Sequence, residues 1–518
     1  MSVFFKQNSK LERWINNNAL WALLYMIVST IANLYLTPYY IRQVGMELYG
    51  YIGLVNNVIS FIDIISISLN SMAQRYISLS LFRKNTDKAY QYYSSCIKAN
   101  GILIAIFSVP GIVAVCKISA FMNIAEGLIY EVQMLFGLMV ANYFIAVFSN
   151  IFYIAAFVKN RLDLHAKVQI ASLFFRICIV FFLFQNKGGH VWFISLGILF
   201  QNIVLCIFHF FYKKRCFSRL VYHRRNYSFS AIKLFVKDGI WASLNTIGNI
   251  LNTGLDLWIT NLMLTPVLTS VISIASSIGT IFYGITKTLT GSFYPEQMRA
   301  YSEGDIDSLV KKLKRSMKFN SAVCVSIFSI FYFCGEEFLR LWMDSDSVGL
   351  LFRLSCVTLL SYIITGVVNP LYYVFTITSK LKVPFIVNII GGLLNVLGMY
   401  VLIKHTDLGA YAVVLTTMAI NLIHLIDTPI YSAYCLKIGI RTFYSTIIRH
   451  IMSGFFNLII LFIIDQFMFI EKGWWRLSAK VMIYLLLSIM ICFLILPDST
   501  ERKNILQKIQ KTTFRRLK

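Results

Sequence analysis

Apolar stretches of about twenty residues follow one another along the whole chain, separated by short polar stretches. A helix of about twenty apolar residues crosses the hydrocarbon core of a bilayer. The polar faces that a water-soluble bundle would show within such stretches are missing. The pattern therefore predicts an all-α integral membrane protein with about fourteen transmembrane helices, at residues 19–41, 50–74, 96–116, 132–156, 166–186, 190–212, 238–263, 266–291, 318–338, 350–376, 381–403, 407–434, 448–468 and 478–496.

Polar residues inside three of these spans recur at helical spacing, so each set shares one helix face. The sets are Asn56, Ser60, Asp63, Asn70 and Gln74 in span 2, Asn245, Asn249, Asn252, Asp256 and Thr260 in span 7, and Ser273, Ser277, Thr280 and Lys287 in span 8. We interpret these faces as the lining of a shared hydrophilic cavity. Hydrogen bonding between neighbouring helices is the alternative for the neutral residues. For Asp63, Asp256 and Lys287 the cavity is favoured, because a charged group at depth needs water or a partner.

Lys287 is a cation near one end of span 8, and Arg75 and Arg299 follow spans 2 and 8 on the same side. Lysine and arginine both bind phosphate, so these three residues are candidates for an anionic head group. Topology is the alternative explanation for Arg75 and Arg299, since basic residues collect at cytoplasmic helix ends without any other role.

Charge and composition agree with a membrane protein. The chain is 58% hydrophobic and 14% charged, with a net charge of +25. With the amino terminus in the cytoplasm, most lysines and arginines fall in cytoplasmic connections whereas the acids divide evenly, as the positive-inside rule requires. The same orientation places the carboxyl terminus, including a basic amphipathic tail at 497–518, in the cytoplasm. The basic charge is therefore explained by topology, and we expect no nucleic-acid partner.

Motifs of catalysis or metal binding are missing from the sequence. The ten cysteines are scattered, mostly within spans, and no Cys-x-x-Cys pair, nucleophile elbow, phosphate loop or His-Glu-x-x-His occurs. We expect no metal, no cofactor and no enzymatic activity.

The sequence also matches itself when its second half is laid over its first. Trp21-Ala22 falls on Trp241-Ala242, and in the same register Asp87, Lys98 and Asn100 fall on Asp307, Lys318 and Asn320. With the register shifted by one position, Asn150 and Tyr153 fall on Asn369 and Tyr372. Six spans fit this period, so the halves enter the membrane from the same side as parallel repeats. The predicted organisation is a lobe at 1–212, a basic linker at 213–237, a second six-helix lobe at 238–434, two additional helices within 435–496, and the tail.

Several stretches resemble the polysaccharide-transporter and O-antigen flippase branch of the multidrug/oligosaccharidyl-lipid/polysaccharide exporter superfamily. They are the turn Ile41–Gly50, the stretch Gly239–Asp256, and Asn369-Pro370 with Thr378–Lys380, Gly391–Ile403 and Leu408–Ala410. The resemblance implies a V-shaped pair of lobes in the bacterial inner membrane. It also implies a monomer that moves undecaprenyl-pyrophosphate-linked oligosaccharide units outward by alternating access. Membrane lipids and the polysaccharide polymerase machinery are the other partners it implies.

On this interpretation the substrate-binding residues are Lys287, Arg75, Arg299, Asn56, Asp63, Asn249, Asn252, Asp256 and Thr280, and Asp63 or Asp256 couples transport to an ion gradient. Cation-coupled multidrug efflux is the alternative function. It would require a cavity dominated by acids and aromatic residues, whereas Lys287 and the flanking arginines repel cationic drugs. A membrane glycosyltransferase would require a large outer loop with carboxylates, and the outer connections here are short.

Overall fold

The computed structural model describes residues 2–159, 161–218, 222, 226–291, 293–343, 345–378, 380–467, 473–498 and 502. These residues form helices joined by turns, with no strand among them, which confirms the predicted all-α class. The α-helices are α1 (Ser2–Val44), α2 (Met46–Phe82), α3 (Thr86–Cys116), α4 (Ile129–Phe152), α5 (Ile154–Val158), α6 (Leu162–Lys187), α7 (Trp192–Cys216), α8 (Phe229–Thr253), α9 (Asp256–Met263), α10 (Pro266–Gly291), α11 (Tyr294–Ser302), α12 (Ile306–Trp342), α13 (Val348–Gly366), α14 (Tyr372–Ile377), α15 (Lys382–His405), α16 (Ala410–Leu436), α17 (Tyr444–Asp465) and α18 (Trp474–Ile495). Short 3-10 helices lie at Ile118–Ala120, Glu126–Leu128, Asn369–Leu371 and Ile440–Thr442. Nearly all of the predicted tail at 497–518 lies outside the described residues.

Thirteen helical stretches within the described residues are long and apolar enough to cross a bilayer, and they match thirteen of the predicted spans. The chain is thus a multi-pass membrane protein. The remaining predicted span, at 238–263, is divided between α8 and α9. The count of fourteen stays a prediction. Helices suit this setting because they pair their backbone groups internally, where lipid offers no hydrogen bonds.

The chain divides into two compact units, Met1–Ser270 and Val271–Lys518. The first unit includes α8 and α9, because α8 packs on α2 and α3, and Tyr76 of α2 donates a hydrogen bond to the Asp238 carboxylate at the start of that span. The predicted lobes follow the internal repeat, whereas these units follow packing. The lobe boundaries at 1–212 and 238–434 therefore remain predictions.

In the first unit, α4 packs along α7, and α2 packs along α3, α4 and α8. Its largest apolar cluster joins Tyr51 and Leu54 of α2 to Leu135 and Phe136 of α4, all at most 3% exposed. The Ile41–Gly50 turn belongs to this packing. Gly45 has a φ of +84°, and a Cβ on Gly50 would lie 2.2 Å from the Ser270 hydroxyl, so glycine allows α2 and the start of α10 to approach.

In the second unit, α12 packs against α13, α17 and α18, so the two additional helices lie on a helix of the predicted second lobe. An ion pair joins α17 to α18, and its lysine also binds α12. Lys480 of α18 is buried and places its Nζ 2.5 Å from the Asp465 carboxylate of α17, while also donating to the Phe333 carbonyl of α12 at 3.0 Å. This contact explains the acid at position 465, because a buried ammonium requires a partner.

The internal repeat is visible as two turns of the same geometry. Before α3, Lys84 has a φ of +56°, and the Asn85 side chain accepts the Lys88 amide at 3.2 Å. At the equivalent positions before α12, Gly304 has a φ of +75°, and Asp305 accepts the Ser308 amide at 2.9 Å.

A second pair of turns repeats in the register that aligns Asn150 with Asn369. After α5 the Lys159 amide donates to the Ala155 carbonyl at 3.1 Å, and Arg161 donates to Ala156 at 2.8 Å. After α14 the corresponding bonds run from Thr378 to Val374 and from Lys380 to Phe375, both at 2.9 Å. The two halves therefore share local backbone structure at the places where their sequences align.

Candidate functional site

The N-terminal half of the polar face of α2 is open. Asn56 and Ser60 are exposed, and the Ser60 hydroxyl turns back to the Asn56 carbonyl at 2.9 Å. Asp63, near the middle of this span, is half-buried and accepts the Ser66 hydroxyl at 2.6 Å. At this depth, polar groups that protein does not cover need water as a hydrogen-bond partner, because lipid tails cannot form hydrogen bonds.

The C-terminal half of the same face is covered. Asn70 is 6% exposed and exchanges amide hydrogen bonds with Asn100 of α3, at 2.8 and 3.2 Å. Gln74 donates to the Asn150 carbonyl of α4 at 3.2 Å. Asn70 and Gln74 therefore join helices, as the alternative interpretation expects, whereas protein leaves Asn56 and Ser60 uncovered. The cavity itself stays a prediction.

The span-7 stripe is interrupted, since α8 ends at Thr253 and α9 begins at Asp256. At the break the Leu255 amide reaches back five residues to the Ile250 carbonyl, at 3.2 Å, which makes a wide turn. The Asn57 side chain of α2 donates to the Gly254 carbonyl at 3.0 Å. Sequence reasoning missed Asn57, because it lies beside the α2 stripe and its partner is a backbone atom.

Asp256 and Asn252 lie on opposite sides of this break. Asp256 is 7% exposed in the first turn of α9, where the helix dipole favours a negative charge. Asn252 donates to the Gly248 carbonyl of its own helix at 2.9 Å. The side chain of Asn249 lies outside the described residues. The structure thus assigns Asn252 and Asp256 to separate helices, whereas the sequence pattern assumed one continuous face.

Helix α9 is held to the turn between α3 and α4. The Asn261 side chain accepts the Asn123 amide at 2.9 Å and donates to its carbonyl at 3.3 Å, while Trp258 donates to Phe121 at 3.0 Å. The second half of the divided span, α9, is therefore fixed within the first unit.

On α10, Thr280 and Lys287 are exposed and lie two turns apart on one face. The Lys287 ammonium lies 5.8 Å from the ring centroid of Tyr283, one turn earlier, which is a cation–π distance. Thr280 donates to the Ser276 carbonyl at 2.9 Å. The structure places Lys287 about one turn from the end of α10, with its charge toward space that protein does not fill.

The two candidate arginines differ in their surroundings. Arg75 is exposed in the C-terminal half of α2. Arg299 is 78% exposed on α11 and forms a 2.8 Å ion pair with Glu303, one turn later. Because Glu303 already neutralises Arg299, an anionic ligand there would compete with an intrahelical contact.

No group of three or more metal-binding side chains occurs within the part of the chain that the structure describes. The His424 and Asp427 pair of α16 is in contact, at 3.2 Å, and Asp427 also accepts the Thr428 hydroxyl at 3.0 Å. This arrangement matches a satisfied local pair.

Two solved structures share the architecture. The lipid II flippase MurJ, in an inward closed conformation, aligns with a TM-score of 0.69 over 92% of this chain and 97% of its own, at 15% identity. A multidrug resistance MATE family transporter of the MOP superfamily, in an inward-facing conformation, aligns with a TM-score of 0.64 over 81% of this chain and 98% of its own, also at 15% identity. The chain therefore shares the fold of these two structures.

In sequence, the chain is similar to a Bacillus subtilis protein described as the uncharacterized membrane protein EpsK. The two are 24% identical over 496 residues, which cover 94% of this chain and 96% of that protein. No protein-family model matches the chain.

Proposed function

We propose that this chain is a flippase for undecaprenyl-pyrophosphate-linked oligosaccharide units, the repeat units of O-antigen, capsule or another surface polysaccharide. It moves them from the cytoplasmic to the outer face of the bacterial inner membrane by alternating access. The chain acts as a monomer with both termini in the cytoplasm, delivers its product to polysaccharide polymerase machinery, and uses no cofactor.

The observation that carries this proposal is the exposed polar face at membrane depth in each unit. Asn56 and Ser60 on α2, and Thr280 and Lys287 on α10, are not covered by protein. Amide and hydroxyl groups are neutral hydrogen-bond partners of the kind that sugar hydroxyls require. Asn249 and Asn252 of the divided span add further amides to the proposed path.

Lys287 supplies the charge that a pyrophosphate requires. Its ammonium has three donors and makes charge-assisted hydrogen bonds to phosphate oxygens. Arg75, and Arg299 in exchange with Glu303, would receive the same group at the inner end. A cation at this place opposes the alternative function, efflux of cationic drugs.

The fold supports the choice between the two. The structure named as a lipid II flippase accounts for a larger share of this chain than the MATE family transporter does, 92% against 81%. Discontinuous helices in transporters mark substrate and ion sites, and here the second half of the divided span begins at Asp256. We therefore retain Asp256 and Asp63 as candidates for coupling transport to an ion gradient.

Deletion of the gene tests the function. Lipid-linked repeat units should accumulate on the cytoplasmic face, surface polysaccharide should fall, and drug sensitivity should stay unchanged. Normal surface polysaccharide together with altered drug resistance would instead support cation-coupled efflux.

Lys287→Ala tests the site. Loss of a charged hydrogen-bond partner should lower the rate of lipid-linked saccharide transport about tenfold or more at equal protein level, while Lys287→Arg retains part of it. Lys404→Ala is a matched control, because Lys404 also lies over a tyrosine one turn earlier, at 5.6 Å from the Tyr400 ring, but at an end of α15 that the predicted topology places on the opposite side of the membrane. Full activity of Lys287→Ala would remove this residue from the site.

A further inference from the structure

A chain of three hydrogen-bonding side chains crosses the interior of the first unit. The Ser149 hydroxyl of α4 lies 2.9 Å from Nδ1 of His209 on α7, and Nε2 of His209 lies 3.0 Å from Nδ1 of His165 on α6. Ser149 and His209 are buried, at 7% and 3% exposure, and His165 is half-buried. The Tyr153 ring packs on both imidazoles, with centroids 4.5 and 5.4 Å away.

The number of protons that His165 and His209 can accept follows from the geometry of these hydrogen bonds. With both histidines neutral, every contact has one donor and one acceptor, in either direction along the chain. One added proton leaves a single hydrogen between the two rings, and Ser149 accepts from His209. A second proton would set N–H against N–H at 3.0 Å. The pair therefore holds one additional proton and no more.

The other charged and titratable groups near these helix ends have partners of their own. They are Lys159 after α5, Arg161, Asp163 and Lys167 at the start of α6, and Tyr212 and Lys213 toward the end of α7. Arg161 and Lys167 bind Asp163, at 2.9 and 3.5 Å. Lys159 lies over the Phe217 ring, and Lys213 lies over the Tyr93 ring. From α1, the Asn18 side chain accepts the Asp163 backbone amide, and the Trp21 ring lies beneath the Lys167 ammonium. The carboxylate of this group is thus occupied, which leaves the two imidazoles to share the proton.

The second unit offers a contrast. His450 of α17 is also buried, at 5% exposure, and its Nδ1 also faces a serine, Ser321 of α12, at 2.7 Å. Its described contacts include no second histidine. In addition, Val368 and Pro384 occupy the positions equivalent to Ser149 and His165, so the repeat does not duplicate the pair.

We propose that His165 and His209 form a proton-binding site, shared by both rings, through which the transport cycle is coupled to the proton gradient. The proton binds between α6 and α7, which places an additional charge on two rings in the interior of the first unit. Protonation would then favour the arrangement in which these helix ends are hydrated over the one in which they are dry. The coupling rests on the proposed transport function, whereas proton binding by the pair does not.

Titration of the ligand-free, full-length protein in detergent tests the shared proton. Imidazole protonation would be followed by infrared spectroscopy between about pH 8 and about pH 5. His165→Asn keeps a hydrogen-bonding group at the Nδ1 position, and His209→Gln keeps one at Nε2. Either single variant should shift this one titration, because the two rings share the proton, and the double variant should lose it. His450→Asn should leave that titration in place. Two independent titrations, or none from these residues, would overturn the site.

Transport in proteoliposomes tests the coupling. A proton gradient should accelerate wild-type transport about fivefold or more. His165→Asn and His209→Gln should lose that acceleration but retain exchange without a gradient, and His450→Asn should respond like wild type. A gradient response that survives in both pair variants would exclude the coupling. A wild-type protein that moves no lipid-linked saccharide would contradict the proposed function, and the titration would still decide whether the pair binds a proton.

Discussion

The two units share their turns but not their polar interiors. The turn at Lys84 and Asn85 and the turn at Gly304 and Asp305 have the same hydrogen bonds. By contrast, Asn100 exchanges bonds with the Asn70 side chain, whereas its repeat partner Asn320 donates to the Gly366 carbonyl of α13. Backbone geometry at the turns is thus alike in the two units, while side-chain contacts between spans differ.

The divergence follows from one position. In the register that aligns Asn100 with Asn320, the partner of Asn70 is Thr290, whose hydroxyl bonds to the Thr286 carbonyl of its own helix at 2.7 Å. A threonine can satisfy itself in this way, whereas an amide cannot satisfy both its donor and its acceptor within one helix. Asn320 therefore takes a backbone partner, and Asn100 takes a side chain.

The largest expected effect comes from breaking these amide contacts. Asn70→Ala and Asn100→Ala should each lower the free energy of unfolding by about 2 kcal/mol, because each leaves a buried amide without its partner. The double variant should cost about 1 kcal/mol less than the sum of the single variants. Unfolding in mixed micelles measures these differences.

The second unit supplies the control for this comparison of single and double variants. Asn320→Ala and Thr290→Ala should be additive, since Asn320 bonds to a carbonyl and Thr290 to its own helix. Additivity in both units would show that the Asn70–Asn100 exchange contributes no pairwise stability.

Hydrophobic period and self-similarity were sufficient to predict the helical class, thirteen of the spans and the location of the repeated turns. They were insufficient for contacts made by backbone atoms. The sequence around Gly254 does not show that its backbone carbonyl lacks a helical donor. The role of Asn57 and the division of span 7 are therefore visible only in the structure. Lys480 and Asp465 were likewise unpaired in sequence, because their contact depends on how α17 and α18 pack.

The candidate site divides in the same way. Spacing identified Asn56, Asp63, Thr280 and Lys287 as members of polar faces, and the structure reports which of them protein leaves open. Spacing did not separate Asn70 and Gln74 from that set, because a helix stripe carries no information about what covers each turn. His165 and His209 lie on different helices, so no pattern along the chain joined them.

A smaller effect is expected from exchanging the turn residues. Lys84 adopts a positive φ without being glycine, whereas Gly304 does so at no steric cost. Lys84→Gly should raise the free energy of unfolding by about 1 kcal/mol, and Gly304→Lys should lower it by about 1 kcal/mol. A Cβ at Gly304 would meet nothing within 4 Å, so crowding does not confuse the result. Equal signs for the two exchanges would refute the equivalence of the turns.

The smallest effect concerns one aspartate near a helix end in each unit. In the first unit Asp163 binds Arg161 and Lys167, which belong to the start of the same helix or the turn before it. In the second, Asp498 follows α18 and binds Lys318 of α12, at 2.7 Å, and Arg449 of α17. Asp498 thus joins three helices, whereas Asp163 acts locally.

Lys318 and Arg449 hold the pKa of the Asp498 carboxyl below its usual value. A carboxyl with a lowered pKa in the folded state stabilises the protein above the unfolded value of about 3.9, and this contribution disappears as the pH falls through the folded pKa. Asp498→Asn should therefore lower the midpoint of thermal unfolding near neutral pH, and the difference from wild type should close below about pH 4. The change should be small, since the Asp498 side chain is 46% exposed and solvent screens it. Glu303→Gln, which removes an exposed pair within one helix, should change the midpoint less, because it loosens no contact between helices. A larger effect at Glu303 than at Asp498 would mean that joining α12, α17 and α18 adds nothing to a local ion pair.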